Sequence, residues 1–261
     1  MGELIISVLR KTPLIKDNHS LIKNQLAKFF PSVINVCDIH VGATIIRVNN
    51  NTDDEPIFSK VERISYMPNK LNYEYQRASS PYNTMFYGVL AHDFILKNAI
   101  SAAALEVNKF LRENIQGKQI ITVSKWEVIK PLKLFSITKN ISSVQNYLAY
   151  EFSKEVDKNC KEDYMISAIM SEIIVEQEGY DGVIYPSVQT NGSIKTLTNE
   201  TINPLCLALS PRLIDEGKIK PVLASQHKVI VDENGKAKLF KAFNCCEIQE
   251  GQKELIFSAF I

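Results

Sequence analysis

Between Gln76 and Glu106 the chain sets an arginine, a tyrosine and a glutamate in order. Arg77 lies in Tyr75-Gln76-Arg77-Ala78-Ser79, Tyr87 in Met85-Phe86-Tyr87-Gly88, and Glu106 ends the apolar stretch Ile100-Ser101-Ala102-Ala103-Ala104-Leu105. Further on, Gly179-Tyr180-Asp181-Gly182-Val183-Ile184-Tyr185-Pro186-Ser187 closes on a serine. A guanidinium is a natural bidentate partner for a pyrophosphate, and a tyrosine ring stacks on a flat heterocycle. A carboxylate can hold sugar hydroxyls and stabilise the cation that develops as a glycosidic bond breaks. These residue types are the parts for holding a dinucleotide and breaking a glycosidic bond.

Each has a plainer alternative. On a helix, Glu106 neighbours Ala102, Ala103, Lys109 and Phe110. Three of these are apolar, so the acid belongs at the edge of a buried face, where ionisation is costly without a partner. The alternative is a surface ion pair with Lys109, worth little. Arg47 interrupts the strand Thr44-Ile45-Ile46-Arg47-Val48 on the face of Ile45, opposite Ile46 and Val48. It needs an anion there, either a fixed carboxylate or a ligand. Pro186 cannot continue a strand ladder, so Ser187 is expected to be presented at the strand terminus. It lies outside any GxSxG and has no histidine near it in sequence, which favours a ligand-binding hydroxyl over a nucleophile.

The elements that must position these groups follow from periodicity. Residues 14–30 carry apolar residues at helical spacing up to Pro31, and 43–48 read as a β-branched strand running into a polar loop. Residues 62–86 read as a long ordered loop. A helix is expected from Asp93, as N-cap, to Asn114, before Gly117. Strands at 119–123 and 126–137, broken near Lys130-Pro131, precede helices at 141–157 and 162–178. Strands are then expected at 182–187, 203–210, 219–231, 237–247 and 253–261, with an Asn234-Gly235 hairpin turn. The pattern gives an α+β chain: one domain, a mixed or antiparallel sheet flanked by helices, with an N-terminal helical extension.

Composition narrows the function. A net charge of +1 gives no general reason to expect nucleic acid or an anionic membrane as partner. No apolar run approaches the ~20 residues of a membrane span. The N-terminal residues lack a basic region, and their apolar stretch is short for a signal peptide, so a cytoplasmic protein is expected. Cys37, Cys160, Cys206, Cys245 and Cys246 form no CxxC pair and read as reduced thiols. His19, His40, His92 and His227 show no HExxH spacing, which disfavours a zinc hydrolase.

Taken in order, the blocks resemble the RES family, named for an arginine, a glutamate and a serine, across residues 42–225. Gly42-Ala43-Thr44-Ile45-Ile46-Arg47 resembles its opening arginine strand, with Arg63 in Glu62-Arg63-Ile64-Ser65 an open alternative. Arg77 and Phe86-Tyr87 resemble its second arginine and its tyrosine, followed by the Glu106 helix. Ile121–Trp126 and Lys130–Leu134 resemble the strand pair after that helix. Gly179–Ser187 is similar to its serine motif, and Asn203 before Leu205–Leu209 to the strand after it. The gap from Tyr87 to Glu106 is longer than in compact RES toxins, and residues 1–40 and 226–261 are extra.

The resemblance implies an ADP-ribosyltransferase-like fold in three parts. These are a helical extension (1–41), a catalytic region (42–225) and a C-terminal hairpin and strand extension packed on the same domain (226–261). It implies NAD as substrate, with no metal, and cleavage of the nicotinamide–ribose bond by hydrolysis or phosphorolysis. Arg47 and Arg77 would clamp the pyrophosphate, Tyr87 would stack on nicotinamide and Glu106 would hold the ribose. Ser187, Asn203 and Tyr185 would position ribose or phosphate. Many such proteins are bacterial toxins that deplete NAD, paired with an Xre-type antitoxin. Two rivals remain: transfer of ADP-ribose to a protein, and a catalytically silent binding module in which Arg47 and Glu106 form a structural ion pair. Whether the N-terminal helix packs within the chain or forms a homodimer is open.

Overall fold

The computed structural model describes residues 2–28, 35–91, 96–139, 142–157, 159–190, 194–195 and 201–259. Helices α1 (Gly2–Lys11) and α2 (His19–Ala27) come first, followed by strands β1 (Val36–Ile39) and β2 (Thr44–Asn50). A long loop with two short helical turns, Val61–Ile64 and Asn69–Leu71, leads to β3 (Phe86–Ala91). Then come α3 (Leu96–Val107), α4 (Lys109–Glu113), β4 (Gly117–Val128) and β5 (Leu132–Ser136). Helices α5 (Ser143–Ser153) and α6 (Met165–Glu172) follow, and α6 runs into a π-helical turn at Ile173–Gln177. The chain continues through β6 (Gly182–Pro186), β7 (Ile194–Lys195), β8 (Thr201–Ile202), β9 (Leu205–Leu209) and α7 (Arg212–Asp215). It finishes with β10 (Ile219–Val231), β11 (Ala237–Glu247) and β12 (Ser258–Ala259).

All strands except β7 and β8 join one mixed sheet in the order β1-β5-β6-β9-β3-β2-β4-β10-β11-β12. Only β5 and β6 run parallel, because α5 and α6 form the crossover between them. The period-2 alternation of the strands sorts their side chains into two cores. Ile46, Val48 and Val89 face the helices and share a core with Ala102 and Ala103 of α3. Ile45, Phe86 and Trp126 face the other way, covered by Phe58, Ile64 and Leu255 from the loop and the C-terminal segment. The fold is therefore α+β, with α1–α6 on one face of the sheet and the short α7 on the other.

Several elements depart from the sequence expectation, each for a local reason. The helix expected up to Asn114 is broken at Asn108, whose side chain caps α4 by accepting from Leu111 N at 3.1 Å. Its amide also donates to Asn50 at 3.0 Å and Gln119 at 2.8 Å, so the break is tied to the sheet. The expected cap Asp93 lies outside the described residues. Strand β4 runs without interruption through Ser124 and Lys125, which pair with Ile46 and Arg47 of β2 and with Leu223 and Ala224 of β10.

The terminal strand expected at 253–261 is only β12. Residues 253–255 instead bond to the loop, with Val61 N donating to Lys253 O and Leu255 N to Ser59 O. The extension 1–41 is not wholly helical, since β1 pairs with β5. The boundary at 226 falls inside β10, which pairs with β4 as far as Val231. The hairpin turn is as expected: Gly235 takes φ +72, and Asp232 accepts from Asn234 N and Lys236 N.

Candidate active site

Strands β2 and β3 pair only over Thr44–Ile46 and Val89–Ala91. Beyond Ile46, β2 continues beside β4 as far as Asn50, while β3 continues beside β9 as far as Phe86. The two strands therefore part, and a cleft of about 800 Å³ opens at the split. Arg47, Arg77, Tyr87, Glu106 and Tyr185 all line it, although they come from two strands, a loop, a helix and a third strand. Gly88 sits where the strands diverge. A Cβ there would lie 2.5 Å from Ile45 Cγ2 and 3.2 Å from Ile46 O, so only glycine fits.

Arg47 bridges the split, donating from Nη1 to Tyr87 O at 2.8 Å, with its guanidinium 5.1 Å from the Phe86 ring centre. Its Nε is buried without a partner, and among the described residues Arg47 makes no ion pair. Burial pushes its pKa down to about 10, which still leaves it cationic at neutral pH. A desolvated cation facing a cleft with no carboxylate beside it favours an anionic ligand.

Arg77 is held differently. Nη1 donates to Phe152 O, and both terminal nitrogens approach Lys154 O at 3.3 and 3.4 Å. These carbonyls belong to the C-terminal end of α5, where a cation complements the helix dipole. The guanidinium also lies 5.1 Å from the Tyr164 ring centre. Tyr87 fixes the Arg77 loop from the other side, since its hydroxyl accepts from Ala78 N at 3.0 Å and pairs with Ser79 Oγ at 2.8 Å. Burial pushes the Tyr87 phenol up to about 12, against the opposing pull of those hydrogen bonds and of Arg77.

Glu106 stands at the C-terminal end of α3. Oε1 accepts from Ser187 Oγ at 2.6 Å and from Gln189 N at 3.3 Å. The Cys206 thiol lines the same cleft as this carboxylate. Burial, and next the Glu106 charge, pushes that thiol well above its ordinary range, so it remains protonated. Tyr185 packs on Phe152 at 5.5 Å between ring centres. Burial, then Cys206 and Tyr87, raises its phenol well above the ordinary value. The result is a carboxylate oriented by two donors in an open cleft that two arginines also line.

No protein-family model matches the chain, and no curated protein does.

The surface ion pair weighed for Glu106 is not formed: Lys109 pairs with Glu113 at 3.8 Å instead. Arg63 is half-exposed and pairs with Glu55 at 2.6 Å outside the cleft, leaving Arg47 as the arginine of the split. Ser187 does end its strand but is buried, 2% exposed, with its N–H on Pro204 O and its hydroxyl on Glu106. That corrects the expectation of a presented serine: it orients the acid. Asn203 is exposed ahead of β9 and does not line the cleft. Sequence reasoning missed Arg112, Lys161, Gln189 and Cys206, which do line it. Alternation from Ala208 gave a signal for Cys206 alone. Arg112 donates to Glu106 O at 2.6 Å, a contact that exists only because the chain turns at Asn108. Among the described residues no cluster of His, Cys, Asp and Glu fits a metal ion, and no helix is long and apolar enough to cross a membrane.

Proposed function

We propose that the protein is an NAD-consuming enzyme that cleaves the bond between nicotinamide and ribose, with the RES-like block order as its family reading. The observation that carries this is the half-buried Arg47 cation, without a carboxylate partner among the described residues, in the same cleft as the hydrogen-bonded Glu106. An anion and a sugar fit such a pair at once. Arg47 and Arg77 bind the pyrophosphate, and Tyr87 offers its ring to nicotinamide. Glu106 holds the ribose hydroxyls and stabilises the oxocarbenium character that grows as the bond lengthens. Nicotinamide leaves neutral from a cationic ring and takes the bonding pair, so the leaving group needs no general acid. Ser187 and Gln189 N keep the carboxylate aimed, and water or phosphate completes the reaction at the exposed carbon.

Chromatography of NAD and nicotinamide, with purified protein in buffers with and without phosphate, tests this. Nicotinamide release without phosphate means hydrolysis; release only with phosphate means phosphorolysis. Intact NAD in both buffers rules the reaction out and gives precedence to transfer onto a protein or to a silent binding module.

A further inference from the structure

We propose that the N-terminal helices belong to the cleft machinery: through Glu172, α2 fixes the turn that presents Arg77. The turn is Gln76–Ser79, closed by Gln76 N to Ser79 O at 2.7 Å and Ser79 N to Gln76 O at 3.3 Å. Residues on both sides of it are fastened to one polar cluster. Before the turn, the Tyr75 hydroxyl meets His19 Nδ1 of α2 at 2.8 Å. After it, Ser80 Oγ donates to Glu172 Oε1. The other oxygen of Glu172 takes Lys23 Nζ at 2.9 Å, with His19 Nε2 at 3.5 Å. Lys23 also reaches Glu176 at 3.1 Å, and Glu176 accepts from Asn83 at 3.0 Å.

Glu172 is only 7% exposed and stands where α6 runs on into the π-helical turn. A carboxylate so buried depends on a cation, and Lys23 of α2 supplies it. The chain widens into the π-helical turn immediately after, an arrangement often met at functional sites. Buried Ile22 and Leu26 seat α2 against the helical core. Among the described residues the hydrogen bonds and ion pairs of Glu172, Lys23 and His19 run to one another and to Tyr75, Ser80 and Glu176 rather than to the cleft, so they are positioning residues acting on Arg77.

The kinetic arm of the test rests on the NAD reading; the exchange arm does not. Amide hydrogen exchange across residues 72–84 and NAD kinetics are measured on the full chain with Lys23→Ala, Lys23→Arg and Glu172→Gln. Lys23 is a quarter exposed, so Lys23→Ala remains informative if Glu172→Gln fails to fold. Lys23→Ala is expected to speed exchange at 76–79 and to raise KM about tenfold with kcat little changed, because binding by Arg77 is weakened. Lys23→Arg, which restores a cation, returns both readouts toward wild type. Unchanged exchange and KM with only a lower melting temperature overturns the proposal, as does faster exchange with unchanged KM. If the wild type leaves NAD intact, the proposed reaction fails, and exchange alone decides whether α2 fixes the turn.

Discussion

Ser187 Oγ donates to Glu106 Oε1 across 2.6 Å, joining residues 81 positions apart. With Gln189 N on the same oxygen, the carboxylate is held without an ion-pair partner among the described residues. Glu106→Gln keeps an acceptor for Ser187 and removes only the charge. NAD cleavage is expected to fall about 10²–10³-fold, the cost of losing one oriented electrostatic group. The melting temperature is expected to move by no more than about 4 °C. Paired kinetics and thermal melts check this; a large drop in melting temperature with unaltered turnover means that the acid is structural.

Arg47 makes the opposite kind of prediction. It is half-buried, with Nε enclosed, and makes no ion pair among the described residues, so Arg47→Met removes a partly desolvated cation while filling similar space. Thermal stability is expected to hold or rise. Saturating ADP-ribose is expected to raise the wild-type melting temperature by about 5–10 °C, and this gain disappears in the variant. Differential scanning fluorimetry with and without ADP-ribose reads both effects.

Tyr87→Phe leaves Ala78 N–H without its acceptor in a part-buried loop. A loss of about 1–3 kcal/mol is expected. Urea unfolding measures it, and amide exchange at Ala78 and Ser79 should locate the loosening at the Arg77 turn.

Alkaline titration tests the burial of the phenols. Tyr75 and Tyr87 are each pushed up to about 12, in both cases mainly by burial, and burial raises Tyr147 and Tyr185 as well. A phenol whose folded pKa exceeds its unfolded value contributes stability that is intact below about pH 10 and is lost as pH climbs through the folded value. Phenolate absorbance near pH 10 should therefore show fewer than the chain's 10 tyrosines, with the rest appearing only as the fold is lost above that pH.

Gly182 tests the close approach of β6 and β9. A Cβ there would sit 2.3 Å from Ala208 O and 2.8 Å from Leu209 Cα, whereas one on Gly217 meets nothing within 4 Å. Gly182→Ala is expected to cost on the order of 3–5 kcal/mol or to prevent folding. Gly217→Ala, at φ +63, carries only the left-handed backbone strain of about 1–2 kcal/mol. Urea midpoints of the two variants make the comparison.

The sequence by itself determined the elements whose cause is local. Strands β2, β6 and β9 follow from β-branched and apolar runs, and β10 and β11 from the Asn234-Gly235 turn between two such runs. It also picked out Arg47, Arg77, Tyr87, Glu106 and Tyr185, because charged or aromatic side chains stand out in apolar or loop segments. The break at Asn108 was not legible, since an asparagine inside a helical pattern becomes a cap only when Asn50 and Gln119 hold it there. Nor was the choice of Arg47 over Arg63, which depends on Glu55 neutralising one and on two strands separating around the other. Ser187 looked presented because Pro186 ends the ladder, yet Glu106 arrives from α3 to cover it. Tertiary structure decided which polar groups meet: hydrogen bonds and buried charges depend on ångström distances between segments far apart in the chain, and sequence spacing carries no record of them.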